Sequence, residues 1–137
     1  MKLHKVLITG SRNWTDKHAI LEVISESASF AFAIKATLLV IHGDCPTGAD
    51  AIAEAICVES GAYSARIAAR WSAGKVAGPL RNRIMVALKP DSAHAFMMPE
   101  SRGTVDCVEA LRLAGIEPTI HSDFRNLDAD RAKGREV

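Results

Sequence analysis

The chain has no apolar run approaching the ~20 residues needed to span a bilayer, so no membrane partner is expected. Residues 1–10 hold only a short apolar stretch and no cleavage-site pattern, which argues against a secretory signal. Cysteine is sparse: Cys45, Cys57 and Cys107 are odd in number, widely spaced and form no CxxC pair. That pattern excludes a disulfide framework and a cysteine-based zinc site and fits a reducing compartment, so a soluble, cytoplasmic protein is expected. Charge is nearly balanced at a formal +1, whereas general nucleic-acid binders carry a marked basic excess. A nucleic-acid partner is therefore not expected. One absence is local. Residues 60–90 contain no Asp or Glu, yet carry Arg66, Arg70, Lys75, Arg81, Arg83 and Lys89. A single-signed segment in an otherwise neutral chain points to an anion site.

What is present describes one globular domain: 137 residues, 48% hydrophobic and 24% charged, enough to bury a real core. Short β-rich runs alternate with longer helical stretches. Strands are expected over 5–9, 37–42, 63–68, 93–97 and 117–121. Helices are expected over 16–35, 49–60 (closing at Gly61), 79–88 and 104–114 (closing at Gly115). This alternation predicts an α/β, Rossmann-like three-layer sandwich around a roughly five-stranded, mostly parallel sheet. Residues 1–121 form the expected nucleotide-binding domain and 122–137 a polar C-terminal tail.

Such sheets bind ligands beyond the carboxyl ends of their strands, and each glycine-rich motif here follows a strand. In the first, Thr9-Gly10-Ser11-Arg12-Asn13-Trp14, Gly10 permits a sharp turn. Gly10 and Ser11 lead toward a helix whose free N–H groups attract anions. Arg12 can fork onto a phosphate, and Trp14 can stack on a base or cover the pocket mouth. The motif is neither GxGxxG nor GxxxxGK[ST]. The second, His42-Gly43-Asp44-Cys45-Pro46-Thr47-Gly48-Ala49-Asp50, offers a phosphate or ribose cradle. Gly43, Asp44, Gly48 and Asp50 are its candidate contacts, and Thr47 and Asp50 have capping-box spacing. His42, Asp44 and Cys45 lie too close together, without a distant partner, to suggest a metal, and none is expected.

The third runs from Trp71 through Gly74-Lys75 to Gly78-Pro79-Leu80-Arg81-Asn82-Arg83-Ile84-Met85. With Pro79 starting a helix, Arg81 and Asn82 would lie in its first turn, where a cation opposes the helix dipole unless an anion meets it. Trp71, Lys75, Arg81 and Asn82 are candidate ligand contacts, whereas Ile84, Met85 and Leu88 fit a core stripe. The fourth, Pro99-Glu100-Ser101-Arg102-Gly103-Thr104, brings Arg102, Gly103 and Thr104 to a helix start, with Thr104 also a candidate N-cap.

Taken together, "TGSRNW", "HGDCPTGAD", the tryptophan with "GKVAGPLRNRIM", and "SRGT" resemble the SLOG superfamily, the Rossmann-like nucleotide-binding domains of the Smf/DprA and LOG proteins. Within it the chain looks most like the small YspA-related branch. The resemblance implies a five-stranded sheet, a nucleotide-like ligand with no required cofactor, and a homo-oligomer. Two departures bear on chemistry. The cytokinin-activating LOG enzymes carry PGGxGTxxE, whose glutamate assists cleavage of the base–ribose bond. Here Gly103 and Thr104 match, but Cys107 stands at the glutamate position and Glu100-Ser101-Arg102 replaces the tandem glycines. Arg81 and Met85 match the arginine and methionine of that family's R-K-x-x-M element, with Asn82 in place of lysine.

The expected function is accordingly a sensor or sequestering module for a nucleotide or nucleotide-derived ligand, such as an NAD- or ADP-ribose-like compound or a nucleoside phosphate. Catalysis is not favoured. Glu100 and Asp106 are the only carboxylates near the slot, and a carboxyl acting on a glycosidic bond must sit within hydrogen-bond reach of it. A nucleoside monophosphate phosphoribohydrolase of LOG type and a single-stranded nucleic-acid binder of DprA type are the alternatives.

Overall fold

The computed structural model describes residues 1–123, so the polar tail lies almost wholly outside the described residues. Five strands, β1 (Leu3–Gly10), β2 (Thr37–His42), β3 (Tyr63–Arg66), β4 (Ser92–Met97) and β5 (Thr119–Ser122), form one sheet in the order β3-β2-β1-β4-β5. Every pairing is parallel. Four helices connect them: α1 (Lys17–Ala33), α2 (Gly48–Ser60), α3 (Ala77–Ala87) and α4 (Arg102–Leu113). The fold is the Rossmann-like three-layer sandwich that the alternating pattern predicts.

Alternation along β1 divides the core in two, because successive side chains of a strand face opposite sides of the sheet. Val6 and Ile8 join Ile20, Val23 and Ile24 of α1 and Ala49, Ala53 and Cys57 of α2. Leu7 faces the other way, onto Met85 and Val86 of α3 and Cys107 and Leu111 of α4. The central strands are thus covered on both faces, as parallel sheets require. Among the described residues no helix is long and apolar enough to cross a membrane.

Strand order reverses direction at β1 and β4. The chain steps outward from β1 to β2 to β3, then returns to place β4 on the other side of β1. Their carboxyl ends therefore diverge into the crevice where ligands of such sheets bind.

Some boundaries match the sequence expectation, as at Gly61, and others differ. Asp16 caps α1 by accepting the Ala19 N–H at 3.3 Å. Gly61 ends α2 at φ 78, a left-handed conformation that glycine adopts without penalty. Strand β3 ends two residues early, at Arg66, and β5 starts two residues late, at Thr119. Helix α3 starts at Ala77, not Pro79. Proline tolerates any first-turn position, so it does not mark the first residue. Arg81 and Asn82 consequently lie beyond the first turn, and the dipole reasoning does not apply to them. Ser101, not Thr104, occupies the N-cap of α4.

The Thr47–Asp50 capping box does not form. Thr47 makes no side-chain cap bond, and Asp50 Oδ2 accepts the Cys45 N–H at 3.3 Å. The Ser11 carbonyl takes the Ala49 N–H at 3.1 Å instead. A neighbouring loop satisfies the helix start, which sequence spacing cannot reveal.

Candidate functional site

The loops after β1 and β4 and the starts of α2, α3 and α4 enclose a cleft of about 430 Å³ at the switch point, within the range of small-molecule sites. Of the residues expected to contact a ligand, Gly10, Ser11, Arg12, Asp50, Trp71, Arg81, Asn82, Arg102, Gly103 and Thr104 line it. So do both carboxylates near the glutamate slot, Glu100 and Asp106. Trp14, Gly43, Asp44, Gly48 and Lys75 do not.

Each of these has another place. Trp14 is only 3% exposed. Its indole N–H donates to the Asp16 carbonyl at 2.9 Å, and its ring meets Phe96 edge-on at 5.3 Å. A tryptophan with its polar tip satisfied and its ring enclosed is core, so the expectation that it stacks on a base or covers the mouth is corrected. Lys75 is exposed on a short 3₁₀ turn, Trp71–Val76, that precedes α3. Asp44 holds a left-handed backbone (φ 56) and accepts from Arg66 Nε at 2.8 Å.

The two remaining glycines work by close approach. A Cβ on Gly43 would fall 2.5 Å from Arg81 Nη1, 2.8 Å from Arg81 Cζ and 2.9 Å from Asp50 Oδ2. Gly48 has φ +74, and a Cβ there would overlap the Ser11 carbonyl and the Arg12 backbone. Both permit the floor of the cleft to close rather than touching its contents.

Arg81 anchors that floor. Although a cation, it is buried, donating from Nη1 to the Gly43 carbonyl at 2.5 Å and from Nε to Asn82 Oδ1 at 2.9 Å. Asn82 Nδ2 donates in turn to the Gly103 carbonyl at 3.1 Å and to Asp106 Oδ2 at 2.9 Å. This chain of bonds ties the β2–α2 loop to α3 and α4. Arg81 meets neutral oxygens, and among the described residues no carboxylate lies within ion-pair distance of Arg81, Arg12 or Arg102. A buried guanidinium without a carboxylate retains unspent capacity for an anion.

Asp50 is the acidic counterpart. It is 5% exposed, and its Oδ1 has no hydrogen-bond partner. Burial pushes its carboxyl above the ordinary aspartate value, against the opposing charges of His42 and Arg81 and hydrogen bonds from Cys45. Cys45, also in the cleft wall, has its thiol pushed up by burial and then by the charge of Asp50.

Cys107 is fully buried in the α3–α4 core and does not line the cleft. Burial drives its thiol up to about 11. The position that resembles a catalytic glutamate slot thus faces Leu7, Ile41 and Met85. Asp106, one residue earlier on the helix, faces the cleft.

Sequence reading missed a polar network behind the second loop. Buried His42 accepts the Asp44 N–H at Nδ1 (3.0 Å) and faces Glu54 through Nε2 (3.2 Å). Ser64 donates to the same carboxylate. Burial raises Glu54, but hydrogen bonds from Ser64 and His42 and the charges of His42 and Arg66 together bring it below its ordinary value. The relevant signal was the spacing of His42 and Glu54 across a strand–loop–helix unit, which only the register of β2 with β3 makes meaningful. Among the described residues no three His, Cys, Asp or Glu side chains gather into a metal-ligating group.

The chain is similar in sequence to known proteins. The Gene 61 protein of Mycobacterium phage D29 is 33% identical over 121 residues, covering 83% of this chain and 93% of the phage protein. No solved structure matches the chain. The profile of the YspA, cpYpsA-related SLOG family matches residues 4–74, the half that carries the Gly10 and Gly43 loops and Trp71. The chain belongs to the YspA, cpYpsA-related SLOG family.

Proposed function

We propose that the cleft binds a nucleotide or nucleotide-derived ligand, either an NAD- or ADP-ribose-like compound or a nucleoside phosphate, and that the protein acts as a sensor or sequestering module. The observation that carries this reading is the convergence of Arg12, Arg81 and Arg102 on one cleft with no carboxylate within ion-pair distance of any of them among the described residues. Phosphate oxygens satisfy guanidinium groups and free helix-start N–H groups together. Isothermal titration with AMP, ADP, ADP-ribose and NAD tests it. At least one should bind, and Arg102→Ala should weaken that ligand about tenfold or more, the effect of losing a hydrogen bond to a charged group. If none binds, or if Arg102→Ala and Arg81→Ala both bind as wild type does, the reading is wrong.

One observation favours a second reading, phosphoribohydrolase activity: Asp106 lines the cleft and is held by Asn82 at 2.9 Å. Water added across the base–C1′ bond of a nucleoside monophosphate would release free base and ribose 5-phosphate. Chromatography after long incubation detects the base, and its clean absence removes this option. Single-stranded nucleic-acid binding draws less support. Within the acid-free segment, Arg66 is paired with Asp44 and Arg81 is buried, which leaves fewer cations to track a backbone.

A further inference from the structure

Among the described residues Trp71 is the one large aromatic side chain in the cleft wall, and it is 56% exposed. It stands on the short 3₁₀ turn ahead of α3, with its six-membered ring over Gly78: a Cβ there would lie 3.7 Å from Trp71 Cη2. The Arg12 guanidinium lies over the ring, its Cζ 5.2 Å from the centroid. Arg12 is itself exposed, lines the same cleft and has no carboxylate partner among the described residues. A half-exposed indole at a cleft edge is costly to leave in water unless something covers it. Here the cover is the long, exposed Arg12 side chain making a weak, solvent-exposed cation–π contact.

We infer that Trp71 is the base-stacking wall of the cleft and that Arg12 is the side chain a ligand's base displaces from it, freeing the guanidinium to meet the ligand's phosphate. The inference rests on the proposed nucleotide reading and deepens it by assigning the two ends of the ligand. A planar heteroaromatic ring covers more of the indole than a guanidinium does, and stacking tolerates any base because each presents a π face. Arg12 gains at the same time, exchanging an exposed cation–π contact for a charge-assisted bond to phosphate. The favoured ligand class is therefore a phosphorylated nucleoside, over a sugar phosphate without a base. Trp14, the only other tryptophan, is enclosed in the core and cannot serve.

The test compares AMP, ADP-ribose and ribose 5-phosphate on the wild-type chain and on Trp71→Ala, by calorimetry and by tryptophan emission. Trp71 is exposed, so its loss should leave the fold intact, and the buried Trp14 remains as an internal emission reference. In the wild type an adenine-bearing ligand should bind about tenfold or more tighter than ribose 5-phosphate, the worth of one base stack, and should quench emission. In Trp71→Ala that preference and the quenching should both vanish, while Trp71→Phe retains part of the preference. An adenine nucleotide that binds Trp71→Ala as tightly as wild type overturns this assignment while leaving nucleotide binding standing. If none of the three ligands binds the wild type, the assignment and the nucleotide reading both fall.

Discussion

Gly43→Ala tests the construction of the cleft floor directly. The new methyl carbon would sit 2.5 Å from Arg81 Nη1 and 2.8 Å from Arg81 Cζ, well inside contact distance. The guanidinium is the far end of a flexible side chain, so it can swing away. Doing so breaks its bond to the Gly43 carbonyl and pulls on Nε, which is bonded to Asn82. Losing one hydrogen bond to a charged group costs about 1.5–3 kcal/mol. Once Arg81 is removed, the two nearest atoms are gone and the closest remaining one is Asp50 Oδ2 at 2.9 Å. In an Arg81→Ala background Gly43→Ala should therefore be much milder. The assay is a double-mutant cycle by urea denaturation, with an expected coupling of about 1–2 kcal/mol, since residues in direct contact do not add. The two substitutions adding to within about 0.5 kcal/mol would refute the reasoning. It would mean that Gly43 is required for its backbone and not for the space it leaves to Arg81.

Three further outcomes follow from the same structure. Gly48→Ala should destabilise the fold by about 2 kcal/mol or more, because φ +74 and overlap with the Ser11 carbonyl act together; a shift in thermal midpoint reads this. His94 is held down to about 4, by burial and then by the charge of His121. The unfolded chain therefore takes up a proton near pH 6.5 before the folded one does. Stability present above that pH should fall as pH drops from 6.5 toward 4, by about 1–2 kcal/mol after discounting for partial exposure, and the slope should shrink in His94→Asn. Among the thiols, Cys57 and Cys107, both pushed up to about 11, should resist maleimide until the protein unfolds. The half-buried Cys45 should label slowly, and a nucleotide that fills the cleft should slow it further; equal labelling of all three thiols in the native state would contradict the burial pattern.

Sequence periodicity made the sheet legible because its central strands are buried on both faces. Runs such as TLLVIH need no partner to be recognised, and Gly10, Gly43 and Gly61 punctuate them. Side-chain direction was the harder part. Trp14 and Trp71 look alike as loop tryptophans beside glycines. Only the three-dimensional fold shows that Trp14 turns inward onto Phe96 while Trp71 stays at the cleft. That Arg81 lies at the cleft was legible, but for the wrong reason. Its place follows from the Gly43 carbonyl, distant in sequence, and not from the helix dipole. The His42–Glu54–Ser64 network was invisible because its members meet only through the pairing of β2 with β3.

The burial of Cys107 changes the meaning of the missing glutamate. If residue 107 faced the cleft, replacing Cys with Glu could restore a carboxylate to the chemistry. Instead the position is enclosed between β1, β2 and α3, where burial outweighs the Arg81 charge even for the thiol and an ionised carboxylate would lose its hydration. Successive residues of a helix point about 100° apart. Asp106 and Cys107 therefore address different surroundings, one the cleft and the other the core. Among the described residues, the carboxylates lining the cleft are Asp50, Asp106, already engaged by Asn82, and Glu100 on its left-handed loop (φ 66). The cleft's guanidinium groups, by contrast, have no carboxylate within ion-pair distance among the described residues. The geometry is prepared for holding an anion more completely than for cutting a bond, which is why binding is the function proposed.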